Sequence, residues 1–284
     1  MKIATFGARF FGGQISRIEE GFQSLGHQIL HEKSDIIYCN DQSNFTKAIE
    51  HKQKFGGLLI LNILDIPFHL QEINDIVNDL KIKLKYADRI TCISKTTKFY
   101  INKFLNINAE VVYNPAKEIK FKNLEKTKNF LSIGRLADPN KRFQIAFETI
   151  KKFNQKIYIA GSDCEVIRHP SIIAKGIIDD SELENLYNTS KFYLATSYNE
   201  GICLPMIESL MGGCIPIVCN DMTTASEFIP EEFLCDPDPE KIATKIYNIN
   251  KKYKTYQKIS IFYGEKYSFQ FNKVNIAKNI LSCI

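Results

Sequence analysis

Ser197-Tyr198-Asn199-Glu200-Gly201-Ile202-Cys203-Leu204-Pro205-Met206-Ile207-Glu208 is the stretch on which the reading of this chain turns. It follows the apolar run 192–195, which has the composition of a buried strand. It leads into a helix predicted at 205–211, with Pro205 in the first turn where its missing N–H costs nothing. A strand, a Glu-Gly turn and a helix in immediate succession aim free backbone N–H groups at one point, with Glu200 beside them and Glu208 one turn inside the helix. Carboxylates accept hydrogen bonds from vicinal hydroxyls, so the two can grip a sugar and a ribose. A solvated Glu in a turn and a second Glu favoured by a helix dipole satisfy the same pattern.

Outward from this stretch the alternation of strand and helix continues in both directions. Downstream, 215–219 reads as a strand, and helices at 240–250 and about 271–282 close the chain. Upstream, the strand 130–133 ends in Gly134-Arg135-Leu136, and Lys141 stands just before a helix at 143–153. Two cations at the C-terminal edge of a strand can clamp a diphosphate, Arg135 through its planar fork and Lys141 as a point charge; taken singly, each is also an ordinary surface cation. Strands at 156–160 and 172–175 and a helix at 181–187 fill the interval.

The first half repeats the pattern, with strands at 2–6, 27–30, 35–39, 58–64, 90–93 and 110–113 and helices at 14–25, 45–51, 71–86 and 96–104. Such alternation marks parallel βαβ units, so the expected class is α/β with parallel sheets. The Lys-rich polar stretch 116–128 reads as a linker between an N-terminal domain, 1–115, and a C-terminal domain, 129–265, with a C-terminal helix at 266–284 packing back toward the first. Two nucleotide-fold-like halves make a cleft between them the natural ligand site. The first βα turn, Gly7-Ala8-Arg9-Phe10-Phe11-Gly12-Gly13, suits a ligand close to the backbone at a helix N-terminus, yet it is neither G-x-G-x-x-G nor a Walker A loop, and a structural turn accounts for it equally.

Composition narrows the class of partner. With 284 residues, 44% of them apolar and 24% charged, the chain is neither disordered nor a disulfide-stapled miniprotein. A net charge of +5 gives no footing for a nucleic-acid partner, but between Lys81 and Lys128 twelve basic residues stand against four acidic ones. That run is a solvated Lys-rich surface, a site of attraction to an anionic membrane or acidic glycan, or, as the least favoured of the three, a nucleic-acid contact. The eight cysteines include no C-x-x-C pair and lie mostly in apolar runs, so a reducing compartment is expected, with neither a zinc site nor a disulfide framework. No signal-peptide pattern opens the chain and its longest apolar stretch, 56–64, is far below a bilayer span. The expectation is a cytoplasmic protein, peripheral to a membrane if the basic segment 81–128 docks there.

The chain resembles the retaining nucleotide-sugar glycosyltransferases of GT-B fold, known as glycosyltransferase group 1. Glu200 to Glu208 looks like the family's E-x7-E element, in a Ser-x-x-Glu-Gly-x-x-Leu-Pro-x-x-Glu frame, and Gly213-Cys214-Ile215-Pro216 looks like its Gly-x-Pro element with one residue more. Gly134-Arg135-Leu136 with Lys141, Gly12-Gly13 before a helix, Gly26-His27, and Ala87-Asp88-Arg89 leading to Ile93-Ser94 fall in family order, most densely over 129–232. The resemblance implies two Rossmann-like domains facing across a cleft. It implies that Arg135 and Lys141 bind the donor diphosphate, Glu208 the nucleotide ribose and Glu200 the donor sugar hydroxyls. The backbone of Gly201, Ile202, Cys203 and Leu204 would line the sugar and phosphate pocket, and Gly12 and Gly13 would bring the first domain's backbone to the diphosphate. Arg135, Lys141 and Glu200 then form the catalytic set: cations and helix-terminal N–H groups stabilise the departing nucleoside diphosphate, which takes the acceptor's proton. No metal and no cofactor beyond the nucleotide-sugar donor is implied. The chain departs from the family in three places: Ile202-Cys203 replaces the common Phe-Gly, Arg142 replaces the Gly that often follows the Lys, and the first domain is shorter than usual.

The implied activity is transfer of a sugar, with anomeric retention, to a hydroxyl of a glycan or lipid-linked acceptor, as in surface polysaccharide or glycoconjugate synthesis. The alternative is a catalytically silent GT-B-like subunit that binds a nucleotide or glycan and supports a partner; the intact set of Arg135, Lys141, Glu200 and Glu208 favours the enzyme. An epimerase or sugar phosphorylase on the same fold uses similar residues. Asp236-Pro237-Asp238 is formally a D-x-D metal motif, but Asp238-Pro239 reads as an N-cap with Pro in the first helical turn. Asp65 and His69 bracket a loop expected either to contact the acceptor or simply to pack.

Overall fold

Ile36, Ile37, Tyr38 and Cys39 show no apolar–polar alternation, and all four are buried, because the sheet they enter is covered on both faces. Ile37 and Cys39 pack with Leu59, Leu61 and Ile101 on one face, while Ile36 and Tyr38 pack with Ile18, Phe22 and Ile276 on the other. Burying side chains of this size is worth roughly 1.5–3 kcal/mol each. The computed structural model describes residues 1–8, 13–65, 73–164 and 169–284. It divides into two units, Met1–Ala116 with Gln270–Ile284, and Lys117–Phe269.

The first unit runs β1 (Lys2–Phe6), α1 (Gln14–Ser24), β2 (Gln28–Ile29), β3 (Ile36–Cys39), α2 (Phe45–Phe55), β4 (Leu58–Ile63), α3 (Ile73–Lys83), β5 (Arg89–Cys92), α4 (Lys95–Leu105) and β6 (Glu110–Val111). The second runs β7 (Lys128–Ile133), α5 (Phe143–Lys151), β8 (Ile157–Ala160), β9 (Ile172–Ala174), α6 (Asp180–Thr189), β10 (Ser190–Ala195), α7 (Leu204–Met211), β11 (Ile215–Cys219), α8 (Ala225–Phe228), β12 (Leu234–Cys235), α9 (Pro239–Lys251) and α10 (Tyr253–Gln270). A last helix, α11 (Lys273–Ser282), belongs to the first unit and lies on α1. Gly21 makes that crossing close, since a Cβ there would sit 2.3 Å from the Lys273 carbonyl oxygen.

Both sheets are parallel throughout, ordered β2-β1-β3-β4-β5-β6 and β12-β11-β10-β7-β8-β9. The second order is that of a Rossmann sheet, and its winding reverses between β7 and β10, where such sheets bind ligands at the carboxyl ends of their strands.

Two sequence expectations change. The polar stretch read as a linker is laid along the second unit: the Lys122 N–H donates to Asn188 Oδ1 at 2.7 Å, and Lys126 Nζ donates to the carbonyls of Tyr187 and Gly212 at 3.1 and 2.9 Å. The basic run 81–128 is thereby divided between the units, and in the second Lys117 pairs with Asp180, Lys122 with Glu184 and Lys128 with Thr189. The second change is α10, an 18-residue helix absent from the sequence reading. Its buried face is Gln257, Ser260, Gly264 and Tyr267, while Phe262 and Phe269 are exposed, so apolar spacing does not reveal it. Ser260 Oγ donates to the Cys214 carbonyl at 2.7 Å and Tyr267 Oη to that of Phe228.

Candidate functional site

Three loops meet at the switch point of the second sheet, those following β7, β10 and β11. In the first, Pro139–Lys141 forms a single 3-10 turn, capped by the Asp138 carboxylate, which accepts from the Asn140 N–H at 3.0 Å. This turn delivers Lys141 Nζ to Glu200 Oε1 in the second loop, with the two side chains only 17% and 14% exposed. Burial alone pulls the Lys141 ammonium down, but the Glu200 carboxylate opposite more than reverses this and holds it above the ordinary lysine value.

Side-chain bonds to backbone fix the loops to one another. Asn140 Oδ1 accepts from the Asn199 N–H at 2.8 Å and Asn140 Nδ2 donates to the Asn199 carbonyl. Thr223 Oγ1, from the loop after β11, accepts from the Glu200 N–H at 2.9 Å, and Thr196 Oγ1 donates to the Lys141 carbonyl at 2.7 Å. Arg142 is left-handed (φ 47°, ψ 40°), a conformation that costs an L-residue roughly 1–2 kcal/mol. Its guanidinium donates to both Asp221 carboxylate oxygens and to the carbonyls of Thr196 and Ser197. At the end of β8, Gly161 (φ +129°) lets the chain pass under this edge; a Cβ there would lie 2.1 Å from the Gly134 carbonyl oxygen.

The remaining expected residues take distinct places. Gly201, Ile202, Cys203 and Leu204 are buried at the start of α7, with Pro205 in its first turn. No acceptor among the described residues meets the N–H groups of Gly201, Ile202 or Cys203, an unusual condition for buried backbone and one that suits an anionic ligand. The Cys203 thiol, buried beside Glu200, is pushed up to about 12 and stays neutral. Arg135 is half exposed and pairs with Asp138 at 2.8 Å. Glu208 is buried within α7, where Oε1 accepts from the Lys117 N–H at 3.0 Å and Oε2 from Tyr187 Oη at 3.1 Å, so a ribose would share a carboxylate that already has donors. Gly13 stands in the first unit, left-handed at the start of α1. Gly12 and His69 lie outside the described residues. Asp238 caps α9 by accepting from the Lys241 N–H at 2.9 Å, with Pro239 in the first turn. Asn140, Asp221 and Thr223 were missed and Arg142 was marked only as a departure from the family's Gly, because their partners, backbone for Asn140, Arg142 and Thr223 and the Arg142 guanidinium for Asp221, lie far away in the sequence.

Residues 127–251 match the model of the family described as Glycosyl transferases group 1. The sucrose-phosphate synthase of Thermosynechococcus elongatus superposes with a TM-score of 0.82 at 14% identity, over 99% of this chain and 98% of that one. The Anabaena HepE structure in complex with UDP-glucose gives 0.81 at 14% identity, over 99% and 98%. A glycosyltransferase from Rickettsia africae gives 0.74 at 14% identity, over 99% and 97%. The chain has the GT-B fold. The group 1 match spans the three loops of the GT-B chain's second unit, with Lys141, Glu200 and Glu208 all inside it. No curated protein sequence matches this GT-B chain. Among its described residues no helix is long and apolar enough to cross a membrane.

Proposed function

We propose that the chain transfers a sugar, with anomeric retention, from a nucleoside diphosphate sugar to a hydroxyl of a glycan or lipid-linked acceptor. The observation that carries the reading is the Lys141–Glu200 pair at the β7/β10 switch point, beside the N–H groups of Gly201, Ile202 and Cys203. An ammonium and oriented N–H groups suit a diphosphate, and a carboxylate suits sugar hydroxyls. In this reading Lys141, joined by Arg135, holds the diphosphate and Glu208 adds the ribose hydroxyls to the donors it already has. The C1–O bond breaks with its electron pair going to the diphosphate, the acceptor oxygen bonds to C1, and the departing phosphate takes the acceptor's proton. Stabilising that charge is worth about 3 kcal/mol per preorganised donor. Neither a metal nor a cofactor has a part in these steps.

The test is a thermal-shift titration with UDP, GDP, ADP, CMP and their sugar conjugates, beginning with UDP-glucose, on the wild type, Lys141→Met and Glu208→Gln. A nucleotide at about 100 times its Kd should stabilise the wild type by about 2.7 kcal/mol, and both variants should lose most of that gain. A folded wild type that responds to none of these ligands overturns the reading.

As part of the same proposal, the protein works in the cytoplasm with its first unit on an anionic membrane. Ile82, Tyr86 and Phe99 are exposed there among Lys81, Lys83, Lys95, Lys98 and Lys103. Co-sedimentation with phosphatidylserine vesicles should fall with salt and with Lys95→Glu/Lys98→Glu; binding indifferent to both refutes it.

A further inference from the structure

Arg142 holds more of the site together than any residue the sequence reading singled out. Nε donates to the Thr196 carbonyl at 2.7 Å, Nη2 to the Ser197 carbonyl at 3.1 Å, and Nη1 and Nη2 to the two Asp221 oxygens at 2.7 and 2.6 Å. The guanidinium also lies over the Tyr198 ring, 5.4 Å from its centroid. One side chain on the loop after β7 thus grips the loop after β10 at its first two residues and the loop after β11 through an ion pair. Lys141 is the preceding residue, and its carbonyl is held by Thr196 Oγ1, the side chain of the residue whose carbonyl Arg142 takes. Glu200 is tied to the same third loop by Thr223, two residues beyond Asp221.

We infer that Arg142 is a positioning residue that sets Lys141 against Glu200, its fork replacing the ease a glycine would have in this left-handed position. Neither lysine nor glycine reproduces the arrangement: lysine lacks the planar fork that spans two carbonyls and a carboxylate, and glycine relieves the backbone but leaves the three loops unlinked. The inference rests on the proposed function for its catalytic consequence, though not for its geometry.

The geometric test needs no substrate. Lys141 is shielded and ion-paired, so acetic anhydride at limiting concentration, with modified lysines counted by mass spectrometry, should label it slowly in the wild type. Labelling should rise at least about fivefold in Arg142→Gly and Arg142→Lys, as in the control Glu200→Gln, while exposed lysines such as Lys95 are unchanged. An unchanged Lys141 rate in a folded Arg142→Gly overturns the inference. The second measurement is UDP release from UDP-glucose by the same proteins. Because Lys141 also holds the diphosphate in the proposed function, kcat/KM for the donor should fall at least about tenfold in Arg142→Gly and Arg142→Lys, and an equal kcat/KM overturns the positioning role. If the wild type neither binds nor turns over any nucleotide sugar, the proposed function fails by itself, and the labelling result still decides what Arg142 holds.

Discussion

Replacing Glu200 by Gln tests the centre of the site at constant size. In the wild type Lys141 Nζ meets Glu200 Oε1 with both side chains largely shielded, at 17% and 14% exposure. In the variant the ammonium keeps its surroundings and faces a neutral amide. Removing one partner of a fully buried pair costs about 3–5 kcal/mol; residual exposure and the remaining amide acceptor reduce this to about 2 kcal/mol here. For a unit of this size that is about 4–8 °C in Tm, read from the calorimetric transition assigned to the second unit. The pH dependence separates this cause from a general loss of packing. Wild-type Lys141 has its folded pKa raised above 10.5, so its contribution is complete below that value and is lost as pH rises through the folded pKa. Without Glu200 burial prevails and the folded pKa falls below 10.5, so the variant's deficit is complete at neutral pH and relieved as pH rises toward 10.5. The gap between the two proteins should therefore be widest at pH 7 and shrink by pH 10.5. A gap that is absent at pH 7, or the same at both, refutes the argument.

Gly161→Ala should be severely destabilising, by about 3 kcal/mol or more, since its Cβ meets the Gly134 carbonyl at 2.1 Å in a backbone conformation that disfavours side chains; a chemical-denaturation midpoint equal to wild type would contradict this. Lys126 is lowered by burial to about 8, so the unfolded chain holds its proton more tightly and stability should rise between about pH 8 and 10.5. The difference between wild type and Lys126→Met should grow across that window in urea titrations; a constant difference would count against it. Of the eight free cysteines only Cys235 is not buried, and burial pushes Cys203, Cys214 and Cys219 up to about 12. A thiol-reactive dye should therefore titrate one group in the native protein and eight in guanidinium, and fast native reaction at Cys203 would contradict the burial of the turn before α7.

What could be read from the sequence and what could not are separated by a physical line. Ile36–Cys39 and Phe192–Ala195 were legible because burying both faces of a parallel strand demands a short apolar run, and that demand is local. Lys141 and Glu200 were legible as types, since a cation after one strand and a carboxylate after another suit the edge of such a sheet. Their meeting was not, because 59 residues separate them and it depends on Arg142, Asn140 and Thr223 bonding to backbone that no spacing rule connects to them. The same holds for α10, whose inner face is built of Gln257, Ser260 and Gly264, and for 117–127, a Lys-rich polar stretch that reads as solvated until Lys126 is found donating to two carbonyls. Apolar burial is non-specific and leaves a periodic trace; polar burial needs a particular partner and leaves none. Arg142 is the one place where the hidden part breaks the surface of the sequence. A bulky cation in a left-handed position is locally unfavourable, so its presence there argues for a compensating set of bonds elsewhere in the chain, and Thr196, Ser197 and Asp221 supply it.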